Sequence, residues 1–178
     1  MKNMVVFNGD ITNLKIDIIV NAANSTLLGG GGVDGLIHRK AGLKLREECR
    51  TLNGCNTGEA KITDSYNLPC NKIIHTVGPI YKNSNHNEKQ LLGDCYRNCI
   101  KLASKYRKGN NLSTVKIAFP CISTGAYGFP KDSACKIAVA TIKEINDNNI
   151  VVIFACYEEV DYQLYIKEVY DIEIDYFA

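Results

Sequence analysis

Apolar and polar residues follow two patterns along the chain, and each pattern predicts a different kind of secondary structure. Short apolar runs rich in branched residues predict strands over 4–7, 18–20, 61–65, 72–77, 115–121 and 150–156. Apolar residues at helical spacing predict helices over 33–41, 43–52, 88–107, 132–146 and 161–169. The alternation in the tail is compatible with a short edge strand over 171–176.

Most of the predicted strands are largely apolar and are separated by helices. This pattern predicts a largely parallel sheet covered by helices on both faces. A chain of 178 residues is expected to form one domain over 1–178. In such sheets ligands bind outside the carboxyl ends of the strands. The polar and glycine-rich loops at 21–32, 78–79, 122–130 and 157–158 follow predicted strands, so they are expected on one edge.

Two of these loops have the composition of anion-binding loops. The first follows the strand at 18–20, passes four glycines, Gly29–Gly32, and enters a helix that carries Asp34 and His38. The second is ISTGAYGFP at 122–130, again between a strand and a helix. A loop of this kind presents backbone N–H groups to phosphate. We therefore predict a diphosphate held between the two loops.

The first loop also matches the dinucleotide fingerprint through Gly30, Gly32 and Gly35, but its context argues against hydride chemistry. In a Rossmann unit the glycines follow the strand at once, whereas eight residues separate Val20 from Gly29 here. No strand ending in an acidic residue follows at the required distance either.

Single residues in these loops each have an ordinary explanation. Asp34, in a first helical turn, could simply complement the helix dipole, and Asp10 could be a turn residue. Tyr157 could pack in the protein or offer a ring on which a base stacks. Ser123 and Cys121 are not supported as nucleophiles, because there is no G-x-S-x-G elbow and the thiol continues an apolar strand.

Charge and composition limit the kinds of partner that the protein is expected to bind. The net charge of +2, without a basic run, gives no reason to expect nucleic acid. We find no signal-peptide pattern and no apolar run long enough to cross a membrane, so a cytoplasmic protein is expected. We also expect a monomer. The eight cysteines form no C-x-x-C and no cluster with zinc spacing. We expect reduced thiols, no disulfide and no metal.

Taken in order, the motifs GDIT at 9–12, NAAN at 21–24, GGGGVDGLIH at 29–38, HTVGP at 75–79 and ISTGAYGFP at 122–130 resemble the macrodomain family. Within it they look most like the MacroD-type branch of ADP-ribosylhydrolases. The resemblance covers nearly the whole chain. It implies a single macrodomain over 1–178, with a three-layer α/β/α sandwich and a mixed, mostly parallel central sheet. The implied ligand is ADP-ribose, lying across the carboxyl ends of the strands.

The resemblance also implies roles for individual residues. Asp10 would accept a hydrogen bond from the adenine amino group, Tyr157 would pack on the adenine face, and Phe129 would contact the distal ribose. Asn24 would bind that ribose and Asp34 would orient or activate water, so these two are the implied catalytic residues. The implied substrate-binding residues are Gly9, Asp10, Ile11, Ala22, Ala23, Gly29, Gly30, Gly31, Gly32, Val33, Ser123, Thr124, Gly125, Ala126, Tyr127, Gly128, Phe129 and Tyr157.

The implied reaction is hydrolysis of the ester that joins ADP-ribose to a protein carboxylate, without a cofactor or metal. ADP-ribose and ADP-ribosylated proteins are the implied partners, and O-acetyl-ADP-ribose is a second implied substrate. The rival hypothesis is a non-catalytic reader of ADP-ribosyl marks, and the intact GGGGVDG loop with Asp34 favours the enzyme. A nucleic-acid site is a weaker alternative. Tyr157, Leu36 and Lys40 depart from common members of the branch.

Overall fold

A computed structural model of the chain describes residues 3–83, 87–145 and 147–170. The strands are β1 Met4–Asn8, β2 Ile18–Ala23, β3 Ala60–Asp64, β4 Lys72–Val77, β5 Val115–Phe119 and β6 Ile150–Cys156. The helices are α1 Gly32–Ala41, α2 Leu43–Thr51, α3 Glu88–Gly109, α4 Lys131–Ile145 and α5 Glu159–Tyr170. Every strand and helix predicted within this part of the chain is present, with ends shifted by at most a few residues. The predicted edge strand at 171–176 lies outside the described residues.

The six strands form one mixed sheet in the order β1-β6-β5-β2-β4-β3. All neighbouring strands are parallel except β3, which runs antiparallel to β4 at one edge. The carboxyl ends of the five parallel strands therefore meet at the same edge of the sheet. This confirms the prediction of a mixed, mostly parallel sheet in a three-layer α/β/α fold.

Side chains that alternate along each strand divide the core into two halves. Ile18 and Ile74 belong to the half that packs under α3, α4 and α5, whereas their neighbours Ile19 and Ile73 belong to the half under α1 and α2. Both faces are covered, which explains why the central strands are largely apolar. Among the described residues, no helix combines the length and the apolar character needed to cross a membrane.

The larger half of the core is built around aromatic rings. Phe119, which is fully buried, lies with its ring centroid 5.0 Å from that of Tyr96 and 6.4 Å from that of Phe154. The ring of Phe154 in turn lies 4.7 Å from Tyr165. These tilted contacts join β5 and β6 to α3 and α5, and such pairs add to the free energy gained by burial alone.

All eight cysteines have free thiols in the structure, and only Cys121 is partly exposed. Burial raises the pKa of Cys70 and of Cys95 to about 11. These thiols pack as small apolar groups between the sheet and the helices.

Replacing Phe119 by alanine should lower the free energy of unfolding by about 3–5 kcal/mol, because it leaves a cavity beside the rings of Tyr96 and Phe154. Leu43→Ala is the control: Leu43 is 80% exposed, so its loss should stay within about 0.5 kcal/mol. Urea denaturation followed by circular dichroism measures both. Equal stability of the two variants would contradict the assignment of Phe119 to the core.

Candidate functional site

A cleft of about 680 Å³ lies at the carboxyl edge of the sheet. Its walls come from the residues that follow β1, β2, β4, β5 and β6 and from the first turns of α1 and α4. This volume lies within the range of small-molecule sites, about 300–1,000 Å³.

Most of the residues predicted from the sequence line this cleft. They are Gly9, Asp10, Ile11, Ala22, Ala23, Asn24, Gly30, Gly31, Gly32, Val33, Asp34, Ser123, Thr124, Gly125, Ala126, Tyr127 and Tyr157.

Three predicted residues do not line the cleft. Phe129 is 2% exposed and packs against the ring of Tyr81, with centroids 4.9 Å apart, so it supports the second loop from behind. Gly128, at φ +68°, closes a turn by donating its N–H to the carbonyl of Gly125 at 3.0 Å. Gly29 contributes its carbonyl to a hydrogen bond within the first loop. Their role is to shape the two loops.

The first loop presents the N-terminus of α1 to the cleft. The residue that precedes the helix is Gly31, which has no side chain to cap the first-turn N–H groups. The loop approaches the helix so closely that a Cβ at Gly35 would lie 2.3 Å from the carbonyl oxygen of Gly30. Glycine at 35 is therefore required to bring the loop against the helix. Uncapped N–H groups at a helix N-terminus attract anions.

The second loop faces the first across the cleft. Ser123 has a left-handed backbone at φ +66°, and its carbonyl accepts the N–H of Phe129 at 2.9 Å. This tight fold leaves the N–H groups of Gly125, Ala126 and Tyr127 without a hydrogen-bond partner among residues 3–83, 87–145 and 147–170. The two loops thus offer unpaired backbone donors from opposite walls of one cleft.

Asp34 is a buried carboxylate, 4% exposed, in the first turn of α1. Its Oδ1 accepts a hydrogen bond from Asn21 Nδ2 at 2.8 Å and lies 3.5 Å from His38 Nε2. Burial raises the pKa of Asp34 above its usual value, although the hydrogen bond from Asn21 and the charge of His38 act in the opposite direction. Its second oxygen points toward Gly30, where a Cβ would lie 3.1 Å from Asp34 Oδ2 and 3.2 Å from Asn24 Nδ2. Asp34 and Asn24 therefore converge on one point of the cleft.

Asn24 is already engaged within the first loop. Its Oδ1 accepts from the backbone N–H of Thr26 at 3.1 Å and from the Thr26 hydroxyl at 2.6 Å. Its Nδ2 donates to the carbonyl of Gly29 at 3.0 Å. An amide nitrogen carries two hydrogens, so one donor remains for a ligand.

A buried polar chain behind Asp34 was missed by the sequence analysis. Asn21 is fully buried in β2, and its Nδ2 also lies 3.1 Å from His75 Nδ1. His75 Nε2 lies 2.9 Å from the hydroxyl of Thr63. Burial lowers the pKa of His75 to about 3, so its ring is neutral at ordinary pH. The local signal in the sequence is an asparagine in the middle of an otherwise apolar strand, and Asn21 and His75 also belong to the NAAN and HTVGP motifs.

The same region contains the side chains that could hold a metal. The ligand atoms of His38, Cys49 and His75 all lie within 4.8 Å of one another. Both ring nitrogens of His75 already take part in the contacts with Asn21 and Thr63, and burial raises the pKa of Cys49 to about 11. Metal binding here would have to displace one of these contacts and remove the thiol proton.

The opposite end of the cleft carries the second aspartate. Asp10 follows β1 and Tyr157 follows β6, and these strands pair with Asn8 opposite Cys156. Tyr157 is 79% exposed, so its ring is available to a ligand. Burial acts to raise the pKa of Asp10, but hydrogen bonds from Lys40 and Thr12 outweigh it, and the pKa lies below its usual value.

Several further residues line the cleft that the sequence analysis did not assign to the site. Lys131 Nζ pairs with Asp161 at 2.6 Å and with Glu158 at 3.1 Å, so its charge is already balanced. The side chain of Arg39 makes no hydrogen bond or ion pair with the described residues. Long flexible side chains carry no periodic signal that would place them at a cleft. The unassigned lining residues are Leu36, Arg39, Gly78, Pro120, Cys121, Ile122, Lys131, Ala155, Glu158 and Asp161.

Comparison with known proteins identifies the fold family. The model of the Macro domain family matches residues 20–138, which is more than half of the chain. The chain belongs to the macro domain family.

The relatives of this macrodomain include named enzymes. A mouse protein named ADP-ribose glycohydrolase MACROD2 is 53% identical over 168 residues, which cover 92% of this chain but 34% of the mouse protein. The O-acetyl-ADP-ribose deacetylase of Escherichia fergusonii is 49% identical over 173 residues, covering 93% of this chain and 94% of that enzyme. A solved structure of the Trypanosoma brucei macrodomain in complex with ADP-ribose is 43% identical, with a TM-score of 0.82 over 94% of this chain and 69% of that one.

Asp34→Asn should raise the free energy of unfolding at pH 7. Burial disfavours the ionised carboxylate in the folded state, and a neutral amide removes this unfavourable contribution. Because the folded pKa is raised, wild type regains stability as the pH falls and Asp34 takes up a proton. The difference in the free energy of unfolding between the two proteins should therefore shrink as the pH falls toward 3.8, the ordinary pKa of an aspartate. Urea titrations at several pH values measure it.

Asp132→Asn is the control, since Asp132 is an exposed aspartate in the first turn of α4. Its effect should stay within about 0.5 kcal/mol at neutral pH. A less stable Asp34→Asn variant at pH 7 would mean that the ionised carboxylate is satisfied in the folded state.

Proposed function

We propose that this macrodomain is a hydrolase that releases ADP-ribose from ADP-ribosylated proteins by cleaving the ester to an aspartate or glutamate side chain. The observation that carries the proposal is the pairing of two donor-rich loops across one cleft with a buried carboxylate, Asp34, at its end. The names of the mouse and Escherichia fergusonii relatives and the ADP-ribose complex of the Trypanosoma brucei structure support the same assignment.

The diphosphate is proposed to lie between the loops. The N-terminus of α1 on one side and the N–H groups of Gly125, Ala126 and Tyr127 on the other supply the positive field. Backbone donors need no reorganisation when the anion arrives, because the loops are already held by their own hydrogen bonds. The adenine then lies toward Asp10 and Tyr157, and the distal ribose lies toward Asn24 and Asp34.

In the proposed reaction a water molecule attacks the anomeric carbon of the distal ribose. Its oxygen forms the new bond to that carbon, and the bond from the carbon to the carboxyl oxygen breaks with its electron pair on the departing carboxylate. A carboxylate is a good leaving group, so positioning of the water supplies most of the rate. The raised pKa of Asp34 makes it a better proton acceptor than an exposed aspartate. A substrate phosphate is the alternative acceptor for the water proton.

O-acetyl-ADP-ribose is proposed as a second substrate. It presents an ester on the same distal ribose, so its acetyl group lies at the same end of the cleft. The Escherichia fergusonii relative, which aligns with nearly the whole chain, is named for this reaction. The products would be acetate and ADP-ribose.

Gly125→Glu should abolish binding of ADP-ribose while the fold is retained. A Cβ at Gly125 meets no atom within 4 Å, so the glutamate fits without strain but places negative charge beside the diphosphate. Wild type should bind with a dissociation constant in the micromolar range, about −8 kcal/mol, in the presence of a chelator.

Gly125→Ala is the matched control and should bind within a few fold of wild type, because it adds a methyl group to open space without adding charge. Isothermal titration calorimetry measures all three proteins. Full affinity in Gly125→Glu would mean that the diphosphate lies elsewhere.

Asp34→Ala should reduce turnover of a carboxylate-linked ADP-ribosylated protein by about 10²-fold or more, the usual range for a positioned acid–base group. Affinity for free ADP-ribose should change little, because the diphosphate loops are intact. Single-turnover release of ADP-ribose gives the rate, and calorimetry on the same variant gives the affinity. Binding of ADP-ribose by an inactive wild type would favour the reader hypothesis, and full activity in Asp34→Ala would exclude the proposed role of this carboxylate.

A further inference from the structure

Lys40 makes three contacts that tie α1 to the turn after β1. It lies in the last turn of α1, and its Nζ donates to Asp10 Oδ2 at 2.8 Å, to Thr12 Oγ1 at 2.7 Å and to Asn13 Oδ1 at 3.1 Å. An ammonium group has three hydrogens, and all three are used here. Lys40 itself does not line the cleft, whereas Asp10 does.

The contacts of Asp10 leave one acceptor position open. Its Oδ1 accepts the backbone N–H of Thr12 at 2.8 Å and the Thr12 hydroxyl at 2.5 Å, and its Oδ2 accepts Lys40. A carboxylate has about four acceptor positions, two on each oxygen. The remaining position is on Oδ2, the same oxygen that Lys40 holds. Lys40 and Thr12 together therefore fix the direction in which this last position points.

The ion pair between Lys40 and Asp10 contributes too little to the free energy of unfolding for stability to explain these contacts. The side chains of Lys40 and Asp10 are 38% and 20% exposed, and ion pairs this close to solvent contribute little to the free energy of unfolding. Geometry is the stronger effect. With Thr12 holding only Oδ1, loss of Lys40 would release Oδ2 to turn and to bind water.

We propose that Lys40 is a positioning residue that makes the cleft select a purine with an exocyclic amino group. Adenine presents an N–H donor to the open position on Asp10, whereas hypoxanthine presents an oxygen that the carboxylate repels. Specificity for the base then depends on a side chain outside the cleft. The proposal rests on the proposed function, because it assigns the base end of the same ADP-ribose site.

The test compares ADP-ribose with inosine-diphosphate-ribose by isothermal titration calorimetry. The proteins are wild type, Lys40→Met, Lys40→Arg and Asp10→Ala, together with the double variant of Asp10→Ala and Lys40→Met. Lys44→Met is the control, since Lys44 is exposed on α2, carries the same charge and does not line the cleft. The quantity of interest is the preference, which is the ratio of the two dissociation constants.

Lys40→Met should lower the preference for ADP-ribose by about threefold or more, the range of coupling between residues in contact. The loss should come from weaker binding of ADP-ribose, with inosine-diphosphate-ribose within twofold of its wild-type affinity. Lys40→Arg should retain more of the preference than Lys40→Met, and Lys44→Met should leave it unchanged. With Asp10 replaced by alanine, the further change Lys40→Met should have no effect on the ratio, because Lys40 acts through Asp10.

Equal weakening of both ligands by Lys40→Met would assign Lys40 a general structural role and overturn the proposal. An unchanged ratio would overturn it as well, while leaving the proposed function intact. Failure of wild type to bind either nucleotide would instead overturn the proposed function, and the role of Lys40 with it.

Discussion

The hydrogen bond between Asn21 and Asp34 connects the centre of the sheet to the helix that carries the candidate chemistry. Asn21 is fully buried in β2, and leaving its Nδ2 unpaired there would cost about 1–3 kcal/mol. Asp34 is therefore held by Oδ1 at a fixed point of α1, with Oδ2 turned toward the cleft. The neutral His75 ring fixes the same amide from the other side. The orientation of the proposed catalytic carboxylate thus depends on a polar group buried among largely apolar strands.

The proposed anion site is made mainly of backbone N–H groups. Gly35 allows the first loop to meet α1 at the carbonyl of Gly30, and the left-handed backbone of Ser123 gives the second loop its tight turn. Both devices expose N–H groups that have no other partner among the described residues. The charge of Lys131, the cation at the start of α4, is already balanced by Asp161 and Glu158. The proposed diphosphate would thus be recognised by fixed dipoles whose geometry the fold determines.

Each end of the cleft carries an aspartate, and the surroundings shift the pKa of these two carboxyl groups in opposite directions. Asp34 is buried with few partners, so its pKa is raised and it is suited to a proton or a water molecule. Asp10 is more exposed and is held by Lys40 and Thr12, so its pKa is lowered, and its oxygens are suited to accept hydrogen bonds, as proposed for the base. Two carboxylates with different environments can divide recognition and chemistry between them.

The spacing of hydrophobic residues along the chain predicted the strands, the helices and a mostly parallel sheet, because largely apolar strands between helices bury both faces of a sheet. The glycine-rich loops that follow strands predicted the edge of the sheet at which the cleft lies. They also predicted most of the residues that line it. Contacts between residues distant in the chain were decided only by the tertiary structure. Asn21 meets His75, and Lys40 reaches Asp10, through side chains whose partners no local spacing specifies. The position of the Phe129 ring behind its loop has the same cause. Packing against Tyr81, rather than any feature of its own motif, sets the orientation of this ring.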